Sequence, residues 1–319
     1  MQSHVIIGAG PVARATASEL LARGKRVRSV TRTGGGELPA GVERVKADAS
    51  HESALIEATE GAATIYNCAN PPYHRWDTEW PPINAAILAA AERHGSVLVT
   101  MGNLYGYGPG NHPFVETDPL AATGTKGKVR AAMWEMQLAA HRAGRVRVTE
   151  ARASDFIGPW VLSAALGERV VPRILAGKSV SLMGHVDMAH AVTAMNDVGI
   201  AMAILGNDER ALGRAWHVPT APARTQRELV DGLCAAAGVN PVKIKRLGPA
   251  MLKIAGVFVP MIRGLQEVQY QFTAPFDLDS SDFTATFDVK PTPLDHTFES
   301  TVAWYRSRRP EVARPAPSS

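Results

Sequence analysis

Gly8, Gly10 and Ala13, in "GAGPVARA", stand at the spacing G-x-G-x-x-A close to the start of the chain. That spacing suits the binding of a dinucleotide pyrophosphate. Gly8 permits a tight turn, Gly10 lets the backbone approach the phosphates, and Ala13 lets the next helix pack close to a sheet. Pro11 and Val12 open that helix, whose free N–H groups and positive dipole end face the same place. About 20 residues further on, where an acidic residue would take the ribose hydroxyls of NAD, stand Thr31 and Arg32. A guanidinium there matches a 2′-phosphate in geometry and charge, so NADP(H) is expected ahead of NAD(H). The competing reading is a solvated surface arginine. Asp48, in "ADAS", has two readings of equal standing: an acceptor for the adenine amino group, or a first-turn residue of the helix over "HESALIEA". Ala69, Asn70 and Pro71, in "CANPP", would run along the cofactor.

A second group of residues could move protons. "LAATGTKGKVRAAMWE" carries Lys126 and Lys128 at the start of an amphipathic helix, and its only aromatic residue is Trp134. Upstream, "TMGNLYGYG" offers Thr100, Asn103, Tyr105 and Tyr107 in a strand and the loop leaving it, at the carboxyl edge where ligands bind in parallel sheets. "RASDFIGPW" adds Asp155 and Phe156 at the next such passage. "HVDMAH" brings His185, Asp187 and His190 together, but the histidines lack the i, i+4 spacing of a metal site and further donors are missing, so no metal is expected.

These residues need a scaffold, and strands and helices alternate through the first half to supply one. "HVIIGAG" reads as a strand ending in glycines, and "PVARATASELLARG" as a helix with Pro11 in its first turn and Gly24 as its stop. "RVRSVTR", "VERVKAD", "ATIYNCA", "SVLVTMG" and "RVRVTEARAS" are further strands. Between them lie the helix "INAAILAAAERHG" and a helix from Lys128 to Ala143. Such alternation implies parallel strands joined by crossover helices that cover both sheet faces. The expected fold is therefore α/β, a Rossmann-type doubly wound parallel sheet with a smaller C-terminal lobe. Residues 1–160 would form its core, completed by about 186–220. Segments 161–185 and 221–310 would form the substrate-binding lobe, and 311–319 a flexible tail. "PAMLKIAGVFVPMIRGLQEV" is interrupted by Lys253, Pro260 and Arg263 and reads as a bent helix, not a membrane span. Thr225 and Glu228 in "TQRE" form a capping box for the helix that follows.

The chain resembles the short-chain dehydrogenase/reductase superfamily, in particular atypical members of its extended, epimerase/dehydratase-like branch. The resemblance rests on "GAGPVARA", "ADAS", "TMGNLYGYG", the lysine helix, "RASDFIGPW" and "GRAWHVPTAPARTQRELVDGLCAAAG". It implies a nicotinamide cofactor and a tyrosine acting as acid or base four residues before a lysine, helped by a serine or threonine hydroxyl. Here the tyrosine is missing. Lys128 fits the lysine, yet Gly124 stands four residues before it and Ala122 four before Lys126. The hydroxyl position falls on Met101, with Thr100 beside it. Tyr105, Lys128 and Thr100 are then the candidate catalytic set, Lys128 also holding the nicotinamide ribose, with Asn103, Tyr107, Asp155 and Phe156 in the substrate pocket. The resemblance implies an NADP-dependent reductase or dehydrogenase acting on a small organic carbonyl or alcohol. The alternatives are a nucleotide-sugar epimerase or dehydratase and a non-catalytic NADP-sensing protein. It also implies a homodimer, paired through "INAAILAAAERHG" and the Lys128 helix.

Composition narrows the field further. Of 319 residues, 45% are hydrophobic and 20% charged, with a net charge of +4 from 34 Lys and Arg against 30 Asp and Glu, an ordinary globular balance. The basic residues form no stripe with interleaved aromatics, so nucleic acid is not an expected partner. Cys68 and Cys234 sit in apolar runs without metal or redox spacing and read as buried thiols. No secretory leader is legible, so a cytoplasmic protein without membrane attachment is expected.

Overall fold

The computed structural model describes residues 3–110, 113–248, 264 and 266–308. The chain opens with strand β1 (Ser3–Ile7), helix α1 (Pro11–Ala22), β2 (Val27–Thr31), β3 (Glu43–Lys46), α2 (Glu52–Ala58) and β4 (Ala62–Asn67). It continues through α3 (Trp76–His94), β5 (Val97–Asn103), α4 (Thr125–Arg142) and β6 (Arg147–Ala153). After a longer excursion, α6 (Met195–Leu205) and β11 (Ala215–His217) return to the same body. Its centre is a seven-stranded sheet in the order β11-β6-β5-β4-β1-β2-β3, parallel throughout.

The sheet is buried on both faces, and β1 shows how sequence produces this. Ile6 joins the core under α1 and α6, while Val5 and Ile7 join the core under α2, α3 and α4. Side chains alternate along a strand, so a continuous apolar run loads both faces, as a parallel sheet with helices on each side requires.

The excursion and the C-terminal third build the lobe. β7 (Asp155–Ile157) pairs with β10 (Val192–Ala194), and β8 (Val180–Met183) pairs with β13 (Ile244–Leu247). The short β9 (Ala189–His190) lies antiparallel to β12 (Arg224–Thr225). With α5 (Val171–Leu175), α7 (Gln226–Ala236), α8 (Ser281–Phe287) and α9 (Leu294–Ser307), these segments complete the described chain. Leu166, Val171, Ile174, Leu229, Leu233 and Phe298 form a core of their own there. The capping box of α7 is present, with Thr225 and Glu228 satisfying each other's backbone N–H groups.

Helix α3 departs from expectation by starting at Trp76, ahead of Pro81 and Pro82. Each proline removes one backbone N–H from the helical ladder. Burial of Trp76 and Trp80, 4% and 0% exposed, compensates by anchoring the early turns. The bent helix read from "PAMLKIAGVFVPMIRGLQEV" lies mostly outside the described residues, as does the tail at 311–319. Among the described residues no helix is long and apolar enough to cross a membrane.

Candidate active site at the carboxyl edge of the sheet

The turn between β1 and α1 has the geometry a pyrophosphate needs. Gly8 adopts φ +117°, and a Cβ on it would come within 2.8 Å of the Cys68 carbonyl oxygen. Only glycine fits there. Gly10 is the N-cap of α1, with open space where a Cβ would stand and no side chain capping the helix. The first N–H groups of α1 are thus presented at the carboxyl edge, Pro11 leads the helix, and Val12 and Ala13 pack into the core behind them. These residues fit a dinucleotide.

Around this turn the other expected cofactor residues fall into place unevenly. The Thr31 hydroxyl donates to the Gly35 carbonyl at 3.2 Å, closing the loop after β2. Arg32 follows it, exposed at the strand end. Asp48 Oδ1 accepts from both the backbone N–H and the hydroxyl of Ser50, at 2.9 and 2.7 Å, and these bonds hold its carboxyl below the usual range. One oxygen of Asp48 therefore serves the turn before α2. Ala69, Asn70 and Pro71 leave β4 beside Gly8; Asn70 is exposed, and the Pro71 carbonyl accepts from the indole of Trp76.

The lysine helix requires a correction. Lys128 points outward and is exposed, whereas Lys126 is buried, 7% exposed, and so is Arg130 at 8%. Residues four apart share a helix face, and on α4 the inward pair is Lys126 with Arg130, not Gly124 with Lys128. Lys126 Nζ donates to Glu267 Oε2 at 3.2 Å and lies 4.7 Å from the centre of the Tyr73 ring. Glu267 Oε1 accepts from the Lys126 backbone N–H, so this carboxylate caps α4 from far along the chain. Gly124 leaves room for it, because a Cβ there would collide with the carboxylate. Arg130 is clamped between Trp76 and Trp80, 4.5 Å from each ring centre, and donates to the Met101 carbonyl at 3.2 Å. Burial pulls its pKa down to about 10.

The tyrosines separate in the same way. Tyr105 is half-buried, in a short turn held by Asn103, whose Oδ1 accepts from the Tyr105 backbone N–H at 3.1 Å. Its hydroxyl is 3.3 Å from that of Tyr73, a residue the sequence reading passed over. Burial, then Tyr73 and then Asp155, push the Tyr105 hydroxyl well above a phenol's usual pKa. It is a hydrogen-bond donor that holds its proton. Tyr107 is not a pocket residue: it is 2% exposed, stacked on Phe114, and its hydroxyl meets Arg152 Nη1 and His217 Nε2, each at 2.8 Å. Thr100 is also engaged elsewhere. Its hydroxyl donates to Gln137 at 3.0 Å, and Gln137 donates to Asn84 at 2.6 Å, in a buried chain that ties β5 to α4 and α3.

Asp155 and Phe156 line a small cavity with Leu166, His190, Leu229 and Phe272. His190 Nε2 stands 3.0 Å from Asp155 Oδ2. The other residues of "HVDMAH" diverge from it, His185 toward Arg246 and Asp187 toward Arg227. Lys126 with Arg130 was findable from the i, i+4 spacing. Tyr73, Glu267 and the pairing of His190 with Asp155 had no local signal, since each is brought in by a separate segment.

Comparison with known proteins agrees with this fold. None of the curated proteins compared with the chain matches its sequence. The chain is similar in structure to the Bordetella bronchiseptica enzyme WbmH in complex with NAD+, at 19% identity and TM-score 0.74, over 97% of this chain and 99% of that one. It is also similar to dTDP-glucose 4,6-dehydratase from Bacillus anthracis in complex with NAD, at 17% identity and TM-score 0.78, over 97% of each chain. For Thermus thermophilus UDP-glucose 4-epimerase in complex with NAD the identity is 18% and the TM-score 0.75, over 96% of this chain and 100% of that one. These likenesses carry the fold. Sequence carries the family: the model of the NAD dependent epimerase/dehydratase family matches residues 5–216, so the chain belongs to that family.

Proposed function

We propose that this protein is a nicotinamide-dependent oxidoreductase that interconverts a carbonyl and an alcohol on a small organic substrate, with NADP(H) as its preferred cofactor. The observation that carries the reading is the Tyr105–Tyr73 hydroxyl pair at the carboxyl edge of β5, on the same sheet edge as the phosphate turn at Gly8 and Gly10. Bound there, the cofactor supplies hydride transfer. The chain's own part is to orient the substrate oxygen. Tyr105 and Tyr73 are neutral donors in a largely desolvated site, and donors of this kind stabilise charge that develops on oxygen as the reaction proceeds.

The preference for NADP(H) rests on Arg32, which extends from the end of β2 where an acidic side chain would favour NAD. Titration of both cofactors tests it. A charge-assisted contact to the 2′-phosphate contributes on the order of 1.5–3 kcal/mol, roughly 10- to 150-fold in affinity. Arg32→Ala should narrow the preference by that factor, and equal affinities in the parent would refute it. Turnover against a panel of aldehydes, ketones and alcohols tests the reaction. Tyr105→Phe should lower kcat while leaving cofactor affinity unchanged.

A further inference from the structure

The reading above gives the substrate oxygen hydrogen-bond donors but no group that takes or gives its proton. The two inward cations of α4, Lys126 and Arg130, are otherwise engaged, and Tyr105 holds its proton tightly. Another acid–base pair, His190 with Asp155, lines the small cavity after β6, and its hydrogen-bond geometry is restrictive. His190 Nδ1 is 3.1 Å from the Gln271 carbonyl oxygen, which can only accept, so Nδ1 carries a hydrogen. Nε2 then faces Asp155 Oδ2 at 3.0 Å, and a bare nitrogen opposite a carboxylate oxygen would leave two acceptors in contact. One proton must lie between them.

The surroundings suit that proton. Phe272 and Phe276 stack on the imidazole, with ring centres 4.7 and 5.5 Å away and interplanar angles of 14° and 22°. Aromatic faces stabilise a cation placed over them. His190 itself is 3% exposed, while the Asp155 side chain retains 24% exposure and opens on the cavity. Asp155 Oδ1 accepts no hydrogen bond among the described residues. The other titratable groups at this centre are Tyr105 after β5, Tyr73 before α3, Lys126 on α4, and Glu267 and Tyr270 from the segment leading to Phe272. The charge of Asp155 is felt at both Tyr73 and Tyr105, where after burial it is among the influences that raise the hydroxyls.

The geometry points to Asp155 as the general base of the site, with His190 as the positioning residue that holds Oδ2 through the shared proton and turns Oδ1 toward substrate. This assignment rests on the redox reading proposed above. In the oxidative direction the alcohol O–H bond breaks and its proton passes to Asp155 Oδ1. The substrate C–H bond breaks and the C=O bond forms; a bound oxidised nicotinamide would accept that hydrogen with its electron pair, so the two electrons lost by the substrate are accounted for. In the reverse direction the Asp155 carboxyl returns the proton to the nascent alkoxide, and the proton between Oδ2 and Nε2 stays in place throughout.

Two measurements decide the matter independently. Nitrogen-15 resonances of His190 in the unliganded protein should show Nδ1 protonated and a proton shared at Nε2, lost from that position in Asp155→Asn. A bare Nε2 beside an ionised carboxylate would overturn the pairing. In turnover, Asp155→Asn, which keeps the side chain's shape, should lower kcat by about 10²- to 10⁴-fold, the usual worth of general acid–base help. It should also abolish one limb of the pH–rate profile and leave cofactor affinity intact. His190→Gln, which retains a donor to Oδ2, should keep more activity than His190→Leu and shift that limb instead of removing it. Unchanged kcat and an unchanged profile in Asp155→Asn would overturn the base assignment. A parent protein that shows the shared proton but turns over no carbonyl or alcohol would overturn the redox reading and, with it, the catalytic role of Asp155. Turnover without the shared proton would overturn this inference alone.

Discussion

Replacing Tyr107 by phenylalanine separates a structural tyrosine from one in the site. The Tyr107 hydroxyl accepts from Arg152 Nη1 and donates to His217 Nε2, each at 2.8 Å, and that direction is forced because His217 Nδ1 faces the Asp279 carbonyl at 2.7 Å. Removing the oxygen strands two buried groups. Arg152 retains Glu150 at 2.7 Å but loses one charge-assisted bond, and His217, 0% exposed, loses its only proton donor at Nε2 among the described residues. A bond to a charged group contributes about 1.5–3 kcal/mol and an orphaned buried acceptor costs about 1–3 kcal/mol. The sum is about 2.5–6 kcal/mol, a fall in Tm of roughly 4–9 °C for a chain of this size. Thermal unfolding followed by circular dichroism measures it. Cofactor binding should persist, because the ring is buried against Phe114 and its hydroxyl is turned to Arg152 and His217. Tyr105→Phe removes a single 3.3 Å contact with Tyr73 and should leave Tm within about 1–2 °C. The opposite pattern, a Tyr107→Phe protein that melts with the parent yet has lost activity, would refute the assignment of both residues.

Acid should destabilise the fold through two histidines. Burial pulls His217 from 6.5 to about 4, and burial with the nearby Lys25 does the same for His4. Between pH 6.5 and 4 the unfolded chain binds more protons, so stability is full above about pH 6.5 and falls by up to about 3 kcal/mol per group as pH approaches 4. Urea midpoints measured across that window should decline, and a flat profile would count against it. On α4, Lys128→Ala should change neither stability nor turnover, while Lys126→Met breaks the pair with Glu267 and should lower both; equal effects would reverse the placement of the two lysines. A homodimer formed through α3 and α4 should give twice the monomer mass in light scattering. Met136→Glu, at a position 46% exposed on α4, should halve it, and a parent that is monomeric at micromolar concentration removes the proposal.

The legible parts of this molecule are those whose physics is local. The turn at Gly8 and Gly10 needs residue types that only a tight turn and a helix start explain, and the strand that loads both sheet faces announces its parallel neighbours. The capping box at Thr225 and Glu228 is a four-residue device and was readable as such. Lys128 was misplaced because the sequence supplies a lysine without its tyrosine, and spacing from a missing partner selects nothing. The helical period would have selected Lys126 and Arg130, one turn apart on the face that meets Tyr73, Trp76 and Trp80. Tyr107 and Thr100 failed for another reason. Both carry the right functional group at the right strand end, but their hydroxyls are occupied by Arg152 and His217 in one case and by Gln137 in the other. Those partners come from β6, β11 and α4 and leave no mark near either residue.

The charges at the carboxyl edge bear on which substrate this edge suits. Lys126 is matched by Glu267, Arg152 by Glu150 and Asp155 by His190, while Arg130 is held against two indole faces. Among the described residues these four groups are engaged within the protein, while Arg32 and Lys128 stay exposed. A diphosphate entering the cavity beside Asp155 would meet a carboxylate and a shared proton, and desolvating its charges there would cost several kcal/mol without compensation. A small neutral carbonyl or alcohol bears no such penalty. It asks only for donors to its oxygen, and the Tyr105 and Tyr73 hydroxyls are such donors. These features would suit the compact uncharged substrate proposed above, in a family whose structural neighbours include enzymes named for nucleotide sugars.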